Sequence, residues 1–304
     1  MKKEFKVNAD FNDTRLDRWF KKNIFLIPQS LLEKNIRKGC IKVNNLKKKS
    51  SYKVKTGDKI FVSVNNLNPP KKQTVKLKYI PTKKILSSTS SLFIENNENF
   101  VVINKPSGIS VQSGTKSKKN IIDVLAHTKE FEGCKPFTVH RLDKETTGIL
   151  VVAKNRSYAQ LFTSLFRIRK IHKTYLGIVC GEFPKKKGTL INDLISYDGN
   201  KKIVSKAITH YTTIDSNNNY SLVKLSPETG RKHQLRKQLL IFGYPILGDN
   251  KYRLNFNIKK KENELMLHAY KINFTIADIK YNFTANPPEN FSSMLKKKYL
   301  KIFL

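Results

Sequence analysis

The chain has 304 residues, more than a single domain usually holds, and carries 59 Lys and Arg against 23 Asp and Glu, a formal charge of +36 with a pI near 10.0. Such a charge points to a polyanionic partner, nucleic acid first, bound with steep salt dependence, although a chain this rich in Lys, Asn and Ile also carries the drift typical of AT-rich genomes. No stretch approaches the unbroken apolar length of a membrane span, MKKEFKVNADFND lacks a signal-peptide core, and Cys40, Cys134 and Cys180 form neither a disulfide framework nor a thiolate metal site, so a cytoplasmic protein is expected.

Residues 14 to 64 read as a small unit. With Asp13 or Thr14 as N-cap, Leu16, Trp19 and Phe20 recur at helical spacing. Pro28 and Ser30 open a second helix carrying Leu31, Leu32 and Ile36, and Gly39 ends it. IKVNN then reads as a strand with an Asn44-Asn45 turn, and YKVKTGDKIFV as a strand broken at Gly57-Asp58. Residues 65 to 91, rich in Asn, Pro, Lys and Ser, read as a linker with a short strand near VKLKYIP.

From 92 to 300, strand-length apolar runs alternate with turns: NFVVINKPSGISV, FTVHRLDKETTGILVVAK, HKTYLGIVCGEF, ITHYTTI, YSLVKLSP and LHAYKINFTI. Helical patterns interrupt them at 120 to 129, 156 to 169 and 231 to 242. The order is irregular, which predicts an α+β fold around a mixed, largely antiparallel sheet. The basic tail LKKKYLKIF reads as a solvated helix face.

Chemistry concentrates in TVHRLDKETTGILVVAK, where two apolar runs flank a polar loop with Arg141 and Asp143, a carboxylate at the rim of a rigid sheet. Read alone, Asp143 is better explained as a carboxylate capping its own loop than as a catalyst. The six histidines include no pair at metal-ligand spacing, and no phosphate-binding glycine loop is present.

His140 to Lys154 resembles the signature of the RluA-type pseudouridine synthases. NKPSGISVQSG, HKTYLGIVCGEF and LSPETGRKHQLRKQLLIFGYPILGD are similar to three further motifs of that family, in order. The N-terminal unit resembles an S4-type RNA-binding domain, and the VQSG stretch is most similar to members acting on large-subunit ribosomal RNA, with transfer RNA a possible alternative substrate.

The resemblance implies isomerisation of uridine to pseudouridine in ribosomal RNA, without cofactor or metal, by a protein that nothing requires to be more than a monomer. It implies Asp143 as the carboxylate acting on the ribose, Arg236 as its ion-pair partner and Tyr175 as the aromatic near the base. It further implies Arg141 in the space left by the extruded nucleotide, Lys105 as a wall residue open to a phosphate, and Arg231 and His233 as RNA contacts. Lys237 and Gln238 stand where many relatives carry a histidine, two residues after the motif arginine.

Overall fold

The computed structural model describes residues 2–24, 27–63, 79–113, 119–184, 186–198, 201–254 and 264–302. Two compact units emerge, Met1–Leu77 and Lys78–Leu304. Among the described residues no helix is long and apolar enough to cross a membrane.

In the first unit, β1 (Lys2–Lys6), β5 (Lys59–Ser63) and β3 (Ile41–Val43) form an antiparallel sheet in the order β1-β5-β3, while β2 (Thr14–Arg15) pairs with β4 (Lys53–Val54). Helices α1 (Leu16–Asn23) and α2 (Gln29–Lys38) bury Leu16, Trp19, Phe20, Leu32 and Ile36 among the strand residues Ile41, Val43, Ile60 and Val62. Their outer faces leave Arg18, Lys22, Lys34, Arg37 and Lys38 exposed. Gly39 closes α2 at φ +77, a left-handed conformation that glycine adopts without a Cβ penalty.

Three expectations for this region need correction. The cap of α1 is Arg15 rather than Asp13 or Thr14, because Thr14 is drawn into pairing with Val54. The unit begins before residue 14, since β1 supplies an edge strand whose Lys-rich sequence hides its pairing role. The stretch expected to link the units contributes α3 (Lys83–Thr89), whose Ile85 and Leu86 pack on the core of the second unit. Most of the expected VKLKYIP strand lies outside the described residues.

The second unit is built on a ten-stranded sheet. Its strands are β6 (Phe93–Asn96), β7 (Phe100–Lys105), β8 (Phe137–Thr138), β9 (Thr147–Ala153), β10 (His172–Cys180), β11 (Lys187–Asp198), β12 (Lys201–Ser216), β13 (Tyr220–Pro227), β14 (Leu267–Ile276) and β15 (Ile279–Thr284). The order is β11-β12-β13-β10-β14-β9-β7-β6, with β15 paired to β14 and β8 to β9. Every pairing is antiparallel except β14 with β9, where His268 and Ala269 meet Thr147 and Gly148. The α+β, largely antiparallel architecture expected from the irregular order of elements is therefore present.

Strand β9, TGILVVA, is buried throughout because both sheet faces are covered. One face packs Ile149 and Val151 against Phe162 of α5 (Arg156–Arg167) and the ring cluster of Phe100 and Phe274. The other sets Leu150 and Val152 among Ile121, Val124 and Leu125 of α4 (Ile121–Leu125). A separate core behind β10 and β13 collects Leu176, Leu222 and Leu225 with Leu239 of α6 (Gln234–Ile241) and Phe291 and Leu295 of α7 (Glu289–Lys297). The basic tail is thus anchored by its apolar residues as well as solvated by its lysines.

Candidate active site

The strand topology brings three distant segments together. The loop 139–146 between β8 and β9, Lys173 and Tyr175 of β10 and the start of α6 line one cavity of about 680 Å³, a size suited to a small ligand or one nucleotide. Among the described residues, this lining includes seven Lys and Arg side chains against the carboxylates of Asp143 and Glu228.

The loop is rigidly held at both ends. The His140 ring accepts the Val151 N–H through Nε2 at 2.9 Å and packs against Phe166, so the imidazole stays neutral and burial pushes it down to about 3. On the far side, Lys105 lies fully buried, and its ammonium donates to the carbonyls of Pro106 (2.8 Å), Ile109 (3.1 Å) and Lys144 (3.1 Å). Burial lowers the Lys105 ammonium to about 7, opposed by the nearby charges of Glu145 and Asp143. The expectation that Lys105 is open to a phosphate is corrected: its three donors are spent on backbone carbonyls. Gly108 N–H and the Ser107 hydroxyl, donating to the carbonyls of Lys144 and Glu145, complete this clamp.

Asp143 sits one residue before the clamped Lys144, with its side chain 20% exposed. Arg236 Nη1 donates to its Oδ2 at 3.3 Å, and His233 Nε2 lies 3.6 Å from its Oδ1, so the oxygens face different partners. Arg236 is itself fixed by Asp249, whose buried carboxylate accepts from Nε at 2.7 Å and Nη2 at 2.8 Å. Burial alone would lower the Arg236 value, but Asp249 and Asp143 hold it above the ordinary range. The Asp249 carboxyl is correspondingly held low, its burial outweighed by the Arg236 bonds.

His233 caps α6 from the left-handed region, φ +55. Its Nδ1 meets the Tyr252 hydroxyl at 2.8 Å, and burial lowers its basicity against the pull of Asp143. The guanidinium of Arg236 also lies over the Tyr252 ring, 5.2 Å from its centroid.

Tyr175 lines the same cavity from β10; burial, and then the charge of Asp143, push its phenol up, so the neutral form prevails. Arg141 is exposed beside Asp143, and Arg231 reaches the rim with its Nε bonded to the Lys206 carbonyl at 3.1 Å. Six of the seven residues singled out from sequence thus line one cavity; Lys105 lies behind it.

The departure at 237 and 238 resolves structurally. Gln238 is fully buried, accepts from the Thr209 hydroxyl at 2.6 Å and donates to the Leu190 carbonyl at 3.0 Å. It fastens α6 to β11 and β12 instead of facing a ligand, and Lys237 donates to the Ile195 carbonyl. Sequence reasoning missed Asp249, Tyr252 and Lys173 as parts of the site. Asp249 ends the last motif segment and Lys173 lies two residues before Tyr175, so both were in view without a role. Among the described residues no cluster of His, Cys, Asp or Glu is arranged to hold a metal.

Residues 99–240 match the family model described as RNA pseudouridylate synthase. The chain is 34% identical over 270 residues to the ribosomal large subunit pseudouridine synthase C of Rickettsia conorii, covering 85% of this chain and 88% of that protein. It is 32% identical over 305 residues to the like-named protein of Buchnera aphidicola subsp. Baizongia pistaciae, covering 95% of each. Among solved structures, human RNA pseudouridylate synthase domain containing 4 is similar with a TM-score of 0.61 at 27% identity, covering 72% of this chain and 97% of that one. With a buried-arginine carboxylate, a facing tyrosine and a cationic cavity already in place, these similarities make the chain a member of the RNA pseudouridine synthase family.

Proposed function

We propose that the protein converts specific uridines of large-subunit ribosomal RNA to pseudouridine, with Asp143 as the catalytic carboxylate. The carrying observation is the placement of Asp143 at the cavity floor, between Arg236 and His233 and beside Tyr175. An ionised carboxylate needs no metal to attack C1′ of the ribose or to draw off the C2′ proton, and either route releases the base from C1′. The detached base then turns and rejoins through C5, losing the C5 proton. Atoms balance within one nucleotide, so neither cosubstrate nor cofactor is required.

Arg236 keeps the carboxylate charged as the RNA excludes water. The neutral Tyr175 ring supplies a stacking face for the base, Arg141 fills the space vacated in the RNA, and Arg231 and His233 contact the substrate. The names of the relatives favour large-subunit RNA, and the exposed basic residues of α1 and α2 favour an S4-type RNA-docking role for the N-terminal unit. We place the protein in the cytoplasm and expect it to act as a monomer.

The test is incubation with undermodified ribosomal RNA, followed by carbodiimide-dependent reverse-transcription stops. New stops are expected with wild type and none with Asp143→Asn. Stops that persist unchanged in the variant would sink the catalytic assignment.

A further inference from the structure

Lys173 has no role in the proposed chemistry, yet it occupies the same cavity. It follows the loop from α5 to β10 and stands two residues before Tyr175, on the same strand face and about 7 Å further along β10. Its side chain is partly buried, and burial lowers its basicity with no carboxylate opposing the shift. Among the described residues its ammonium has no hydrogen-bond or ion-pair partner, and the nearby His140, whose basicity the Lys173 charge lowers, is itself neutral. An ammonium withdrawn from water without an acceptor costs free energy that an incoming anion recovers.

The neighbouring wall gathers more positive charge. Arg167, the last residue of α5, and Arg169, in the left-handed region at φ +59, line the same cavity, and Phe166 beside Arg167 packs on His140, the ring whose basicity the Lys173 charge lowers. Both are exposed, and among the described residues neither side chain is paired. Asp143 lies on the cavity floor, already engaged by Arg236 and His233. The cavity therefore has a catalytic floor with its ions matched and a second wall with cations unmatched.

We propose that Lys173, Arg167 and Arg169 form a phosphate subsite that grips a backbone phosphate of the substrate RNA flanking the uridine held against Tyr175. The inference rests on the proposed function, since phosphates are the anions an RNA strand brings to this wall. A compact ammonium supplies the inner point charge, while the two planar guanidinium groups supply outer forks suited to phosphate oxygens. The spacing of about 7 Å along β10 lets the base meet the tyrosine while a neighbouring phosphate meets the lysine.

The test uses the full-length protein and an RNA stem-loop containing a uridine that wild type modifies. Each phosphate flanking that uridine is replaced in turn by a neutral methylphosphonate. Lys173→Met is expected to weaken RNA binding roughly tenfold at physiological salt and to lower the slope of log affinity against log salt by about one, and Lys173→Arg to restore most of both. One methylphosphonate position should weaken wild type by a similar factor and leave Lys173→Met nearly unaffected. Unchanged affinity and slope in Lys173→Met, or losses that simply multiply at every phosphate, would overturn the subsite. Should Lys173→Met melt early, the exposed pair Arg167→Gln and Arg169→Gln carries the same cycle with the same outcomes. Absence of pseudouridine with wild type overturns the catalytic reading instead, and the two failures are thereby told apart.

Discussion

Arg236 grips Asp249 with two short hydrogen bonds and Asp143 with one longer one. Asp143, the proposed catalytic carboxylate, is thus positioned by an arginine anchored elsewhere, and Asp249, with no exposed side-chain surface, is the anchor. Asp249→Ala is expected to cost roughly 3–5 kcal/mol of stability, because it leaves a buried guanidinium half-paired. Asp249→Asn keeps one acceptor and should cost less, while still lowering single-turnover pseudouridine formation at least tenfold. Urea unfolding alongside the activity assay checks both, and an Asn variant with wild-type rate would show that Asp143 does not depend on this anchor.

Lys105 acts on the site from behind. Lys105→Met preserves the apolar stem but strands the carbonyls of Pro106, Ile109 and Lys144, which predicts a loss of roughly 1–3 kcal/mol. Because Lys144 adjoins Asp143, activity should fall while RNA affinity changes little. A large drop in affinity with intact stability would instead return Lys105 to the RNA.

Gly148 lies at φ +106 in the parallel contact with β14, where an added Cβ would overlap the carbonyl of Ala269. Gly148→Ala is expected to destabilise the protein by about 3 kcal/mol or more, through both the left-handed backbone and the collision. Thermal melting and soluble yield would show it, whereas Gly133→Ala, left-handed at φ +70 but with open space at its Cβ, should carry only the backbone part of the cost.

His140 gives the fold an acid sensitivity of definite sign. Its folded value is about 3 and its ordinary value 6.5, so between those limits the unfolded chain binds the extra proton. Stability is therefore lost as pH falls from 6.5 toward 3 and is insensitive to this group above 6.5. Unfolding free energies from urea titrations at about pH 7.5 and about pH 5 should differ by roughly 1–2 kcal/mol more in wild type than in His140→Gln.

The N-terminal unit offers a division of labour to test. Removing residues 1–64 should weaken binding to long ribosomal RNA more than activity on a short stem-loop. Equal losses in both assays would argue against separate docking and catalytic roles.

Much of this was legible in the chain itself. Most strands with an apolar run of their own, such as β7, β9, β10, β13 and β14, fall where their alternation and turn residues place them. The strands that escaped include β1, β6, β11 and β15, edge or hairpin strands with Lys, Asn, Asp or Glu among few apolar residues, whose pairing is set by neighbours and leaves a weak local pattern. In the site, the motif residues announced themselves by type and order. Asp249, Tyr252 and Lys173 did not, because the roles of the first two come from side-chain contacts with Arg236 and His233, and that of Lys173 from the cavity it lines, none of which has a sequence signal. Lys105 misled for the converse reason: a lysine beside Pro-Ser-Gly looks solvent-facing until the loop folds over it.

Strand β14 lies between β9, which follows the Asp143 loop, and β10, which carries Tyr175. These two strands are consecutive long strands of the sheet's centre in sequence, yet they meet only through a strand that emerges from the ribosome about a hundred residues later. Until Leu267–Ile276 is in place β9 and β10 have no strand between them to pair with, so the Asp143 loop and Tyr175 are brought side by side by one of the last strands in the chain. The cavity is thus joined by pairing between strands far apart in sequence, a kind of contact that forms slowly in folding.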